Sequence, residues 1–179
     1  MRKSQYILLA NYLYMSGVGL LSPIYALFVL DIGGNGFIAG ASWSLYLITA
    51  GLFMLLFSKQ EDISKNARPF LVGGYAVAAM STFMYLLVSS IPQLFLLQIV
   101  HAIGIGILTP SLRAAYAGAQ DKTRQAHEWA LFDGGIFILQ GVAALIGGTL
   151  LVTLGFTTLF VFMGIIQLIS AIVVSRVDV

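Results

Sequence analysis

The chain has 179 residues, of which 59% are hydrophobic and 9% charged, with a net charge of +2 and no cysteine. Soluble domains carry about 25% charged residues, so this composition could not cover a water-facing surface, and lipid is the solvent that fits it. Without cysteine there is no disulfide, thiolate metal site or cysteine nucleophile. Its nine Lys and Arg are scattered over loops and form no basic stripe for nucleic acid.

A membrane-spanning helix needs about 20 mostly apolar residues. Six stretches qualify in chain order: Tyr6–Leu30, Phe37–Phe57, Phe70–Val88, Leu94–Tyr116, Trp129–Leu154 and Thr157–Val174. The first follows Arg2 and Lys3, as a secretory signal would, but its apolar run of about 25 residues is too long for a signal and no cleavage site follows promptly. It is expected to be retained. The breaks are Asp31–Gly36, Ser58–Pro69, Ser89–Gln93, Ala117–Glu128 and, weakest of all, Gly155–Phe156.

Positive charge falls on alternate sides of these spans. Arg2 and Lys3 precede the first; Lys59, Lys65 and Arg68 separate the second from the third. Arg113, Lys122 and Arg124 surround the fourth break, and Arg176 follows the sixth span, whereas the other three breaks contain no Lys or Arg. Cytoplasmic loops collect Lys and Arg. The expected topology is a multi-pass protein of the cell (inner, cytoplasmic) membrane with both termini in the cytoplasm.

Two segments of the chain repeat each other. Gly17-Val18-Gly19-Leu20-Leu21-Ser22-Pro23 in span one matches Gly104-Ile105-Gly106-Ile107-Leu108-Thr109-Pro110 in span four at an offset of 87. Trp43-Ser44-Leu45-Tyr46 in span two matches Trp129-Ala130-Leu131-Phe132 in span five at an offset of 86. The unit is therefore about three spans, residues 5–90 and 91–176 of a single domain covering 1–179. An odd number of spans places the second copy upside down, and inverted repeats are a recurring construction of secondary transporters, with substrate handled near the midplane.

A six-helix unit of this kind resembles one half of a major facilitator superfamily transporter. The resemblance is closest from Gly104 to Gly148, with Gly-x-Gly in helix four, Pro110 one turn on, a basic loop, and a glycine-rich helix five ending in Gly147-Gly148. Asp62, with Lys65 and Arg68, matches the acidic and basic positions of the family's loop between helices two and three, with Ser58 at its glycine position. The family's antiporter-type Gly-Pro step falls on Ala143-Ala144 and its helix-four Arg on Val100, so the resemblance carries the fold and not a drug:proton antiport mechanism. It implies an all-α membrane fold, a cavity lined by helices one and four, and contact with a second half through helices two and five.

Polar residues in hydrocarbon usually face protein or a water-filled cavity. In span one Asn11, Tyr14, Ser22 and Tyr25 share a helix face with Val18, and in span four Gln98, His101, Thr109 and Arg113 share one with Ile105 and Tyr116, at successive spacings of three and four. Val18, Ile105 and Tyr116 aside, these are the eight candidate substrate-cavity residues. Asp133, deep in span five, could carry a coupling proton or form a latch with Arg113 at the inner gate, and the latch is the favoured reading; Asp62 is a further gate candidate. His101, near mid-membrane, suits a neutral histidine bonded to a neighbouring helix. Pro23 and Pro110 are candidate kinks, since each removes a helical hydrogen bond. Gly134, Gly135, Gly141, Ala144, Gly147 and Gly148 make a small-residue helix of the kind that packs closely in lipid.

No catalytic constellation, metal-ligand spacing or cofactor motif is present in the sequence. The expected function is secondary-active movement of a small solute by alternating access, with possible proton coupling, by a homodimer of halves. The chain ends just after its last span without the long linker that joins two halves, which favours a stand-alone half. The alternatives are an N-terminal half inactive alone, or a non-transporting scaffold or assembly protein.

Overall fold

The computed structural model describes residues 2–64 and 68–176, the side chains of 60–64 excepted, and every regular element among them is helical. Asp62 (as a side chain) and Lys65 therefore lie outside the described residues. The first span is α1 (Lys3–Leu21), a 3₁₀ turn at Ser22–Ile24, and α2 (Tyr25–Asp31). It is followed by α3 (Gly36–Ser64), α4 (Arg68–Met84), α5 (Ile91–Ala119) and α6 (Gln125–Ser175). The expected break at Ser58–Pro69 is narrower than anticipated: α3 continues to Ser64, because Lys59, Gln60 and Glu61 are good helix formers once clear of the hydrocarbon.

By length and apolarity alone, five segments count as spans, the last running Lys122–Ser175. At about 1.5 Å per residue a straight helix of that length would overshoot a ~30 Å hydrocarbon core more than twice over. Gly155 resolves this. Its φ of 78° and ψ of 176° are non-helical, in a region open to glycine and strained for other residues, and the chain reverses there. The contacts along α1 show the reversal. Tyr12 and Leu20 meet Leu131 and Gly147 in rising order, whereas Ala10 and Gly17 meet Ser170 and Gln167 in falling order. The arms 125–154 and 156–175 are thus antiparallel, and the protein has six spans.

The spans interleave. α1 packs along both arms of α6, and α5 packs against α3 and α4. A Cβ on Gly19 would collide with the backbone of Gln140, and one on Gly106 would collide with Phe53. Gln140 lies 87 residues after Phe53, the same offset that relates Gly106 to Gly19. Contacts as well as residues therefore repeat, with the first helix of each triplet lodged between helices of the other. This is the arrangement of two inverted three-helix repeats.

The two prolines differ in local structure. Pro23 sits in the 3₁₀ turn that divides the first span, while Pro110 lies inside continuous α5. Beside Pro110, the Thr109 hydroxyl donates to the Ile105 carbonyl at 2.8 Å, a local bond of the kind that helps membrane helices absorb a proline. α3 and the first arm of α6 are the most peripheral spans: 11% of the apolar window of α3 is buried, and the arm 125–154 buries only Phe132, Ala143 and Gly147.

Candidate functional site

Two cavities lie in line inside the bundle. One, of about 130 Å³, is on the side where the basic residues gather and is lined by Asn11, Tyr14, Thr109, Leu112, Arg113 and Asp133 among others. The second, of about 50 Å³, is toward the opposite side and is lined by Ser22, Tyr25, Trp43, Gln98, His101 and Gln167 among others. Val18 and Tyr46 border both. All eight candidate cavity residues border one or other space, with the stripe of span one and the stripe of span four each contributing to both.

The cavities are repeat equivalents of each other. Adding 87 to Val18, Leu21, Ser22 and Tyr25 of the second gives Ile105, Leu108, Thr109 and Leu112 of the first. Subtracting 87 from Gln98 and His101 gives Asn11 and Tyr14. Tyr14 and His101 are hydrogen bonded to each other at 3.1 Å across that same offset of 87. The pseudo-twofold axis therefore passes between these two side chains, which stand between the cavities.

Each proton around His101 has one place to go. Ser81 has one hydroxyl hydrogen, and the Ala78 carbonyl takes it at 2.8 Å. Nδ1–H of His101 then donates to Ser81 Oγ at 2.8 Å, and Nε2 accepts from the Tyr14 hydroxyl. The imidazole is neutral with both nitrogens satisfied. A second chain runs the same way: Gln98 Nε2 donates to Tyr25 Oη at 2.6 Å, Tyr25 to Ser42 Oγ at 2.7 Å, and Ser42 to the Ala39 carbonyl at 3.1 Å. Both chains end on a carbonyl one turn back in a neighbouring helix.

The basic-side cavity is not self-satisfied. Asn11 is fully buried, yet neither its Nδ2 nor its Oδ1 has a partner. Its equivalent, Gln98, is held by Tyr25; the residue equivalent to Tyr25 is Leu112, which has no polar atom to offer. An unpaired buried amide costs about 1–3 kcal/mol. The expected Arg113–Asp133 latch is not formed as an ion pair. The two side chains border the same cavity, but among the described residues none comes within ion-pair distance, and Arg113 instead faces the Phe132 ring, its guanidinium carbon 6.0 Å from the centroid. Both are exposed to the open cavity rather than sealed in a dry interior. That removes the drive to neutralise one charge with the other.

Several lining residues escaped the sequence reading. Trp43 and Tyr46 of α3, Thr82 of α4 and Gln167 of the last arm of α6 line the second cavity, and Ser42 and Ser81 back it as hydrogen-bond partners of Tyr25 and His101. Thr82 donates to Gln167 Oε1, while Gln167 Nε2 is left without a partner. Gln167 is the only amide side chain in the final arm, and Ser81–Thr82 is a hydroxyl pair inside an apolar span; both signals were available.

The model of the Major Facilitator Superfamily matches residues 7–178, nearly the whole chain. The chain belongs to the major facilitator superfamily. A curated relative described as an uncharacterized MFS-type transporter of Methanocaldococcus jannaschii is 25% identical over 167 residues, covering 93% of this chain and 43% of the relative. The chain thus spans less than half the length of that superfamily member. The match places a multi-pass, all-α membrane protein within the superfamily and assigns no substrate.

Proposed function

We propose that this chain is a six-helix half that moves a small solute across the membrane by alternating access. The observation that carries this reading is the pair of repeat-related cavities meeting at Tyr14 and His101. An inverted repeat has two equivalent conformations, and exchanging them swaps which cavity is open. The name of its relative as a transporter supports the same reading. The repeats divide near residue 90, the basic side faces the cytoplasm, and no chemical step is assigned to the chain.

The second half is proposed to be another copy, docked through spans two and five. A Cβ on Gly40 or Gly51 in α3, or on Gly134, Gly141 or Gly148 in α6, would meet nothing within 4 Å. Gly134, Gly141 and Gly148 recur every seven residues along one face, a spacing suited to close helix approach in lipid. Because the chain has no cysteine, a single Gly141→Cys substitution can form a disulfide only between copies. Cross-linked dimers together with solute flux in proteoliposomes are expected. A strict monomer that supports no flux would sink the homodimer reading. In that case the second reading, the N-terminal half of a longer transporter, gains weight from the 43% coverage of the relative.

A further inference from the structure

We infer that the basic-side cavity binds a small zwitterion, a solute carrying one ammonium and one carboxylate, of the amino acid class. This rests on the transport reading for its biological use but not for the binding itself. The first observation is Asn11, fully buried, with both the donor and the acceptor of its amide unpartnered at the cavity wall. An amide in that state complements a ligand that offers both an acceptor and a donor. The second observation is the charge. Arg113 and Asp133 border the same space without pairing with each other, so one fixed positive and one fixed negative group await partners.

Of the hydroxyls that line it, those of Thr109 and Tyr14 are already committed, and that of Tyr46 can turn to donate or accept. The Thr109 hydroxyl hydrogen goes to the Ile105 carbonyl, and the Tyr14 hydroxyl hydrogen goes to His101. Arg113 and the Asn11 amide hydrogens suit a carboxylate; Asp133 and the Asn11 carbonyl oxygen suit an ammonium. An anion alone would face Asp133, and a cation alone would face Arg113. Only a ligand of both signs satisfies every open group, and it leaves no net charge in the bundle. Size agrees. A space of about 130 Å³ is room for about four waters at ~30 Å³ each, well below the ~300 Å³ at which drug-sized sites begin.

The equivalent cavity sharpens the assignment. Its Gln98 amide donates to Tyr25 and its histidine is held by Ser81 and Tyr14; Gln167 Nε2 is an open donor there, but among the described residues no charged one lines it. Recognition of ligand charge therefore belongs to one side of the pseudo-axis.

The test is equilibrium binding of radiolabelled glycine and alanine to the 179-residue chain in nanodiscs, with acetate and methylammonium as single-charge competitors. Saturable binding is expected, displaced by zwitterions and not by either competitor. Asn11→Leu should weaken binding at least about tenfold, the size of one lost hydrogen bond to a charged group. Asp133→Asn should let acetate compete, and Arg113→Gln should let methylammonium compete. Should Asn11→Leu fail to fold, Asn11→Asp keeps the shape and should favour methylammonium over acetate. Absence of saturable binding by either amino acid, or acetate competing as well as alanine in the parent chain, overturns the inference. Saturable binding without flux would remove the transport reading and leave the site. Flux of another solute, indifferent to zwitterions, would do the reverse.

Discussion

The two cavities are built from equivalent positions on the same interleaved frame, yet they have opposite polar balance. On one side Gln98, Tyr25 and Ser42 pass hydrogen bonds from helix to helix until a backbone carbonyl accepts the last one. On the other, a single replacement, Leu112 at the position equivalent to Tyr25, leaves Asn11 with nothing to bond. The repeat thus keeps space more strictly than chemistry. Backbone approach at the glycines is set by packing, which both copies must satisfy, while side-chain partners can diverge one residue at a time.

The largest effect is expected from breaking the frame that both cavities share. Gly19→Leu and Gly106→Leu force bulk into the backbone of Gln140 and the Phe53 side chain, and overpacking of this kind costs about 1–3 kcal/mol or more. The two variants should lose thermal stability in detergent by similar amounts. A loss at one site alone would break the claim that their contacts are equivalent.

Next come identical substitutions at equivalent amides. Gln98→Leu removes the donor to the Tyr25 hydroxyl and should destabilise the protein by about 1–3 kcal/mol. Asn11→Leu removes an amide that bonds nothing, so its melting temperature should be equal to or above that of the parent. If both variants were destabilised alike, the contrast between the cavities would be lost. A smaller effect is expected of Leu112→Tyr, which restores the missing partner for Asn11. It should stabilise by about 1 kcal/mol, one net hydrogen bond, while narrowing the cavity and weakening solute binding. Least of all, Gly141→Ala fills open space and should alter monomer stability by no more than the ~1 kcal/mol of helix propensity. A selective loss of self-association, read by cross-linking, would assign this face to the second copy.

Much of this was legible in the sequence because lipid imposes simple demands. Hydrocarbon thickness dictates the span length, and internally satisfied backbone dictates helices, so composition and periodicity sufficed for the spans, the break at Gly155 and the polar stripes of spans one and four. The offset of 87 was equally visible, since close helix approach in lipid demands glycine at particular positions. The expected latch between Arg113 and Asp133 was not legible, because depth along two helices says nothing about the distance or the water between two side chains.

The solvent, the helices and the inverted repeat follow from local composition and from spacing along one chain. It takes the packed bundle to bring Tyr14 and His101 together on the pseudo-axis, to draw Ser81 and Gln167 into the site, and to leave Asn11 unpaired where Gln98 is not. Those outcomes depend on which helices interleave. A hydrogen bond between residues 87 apart is a matter of distance in space, and spacing along the chain does not encode it.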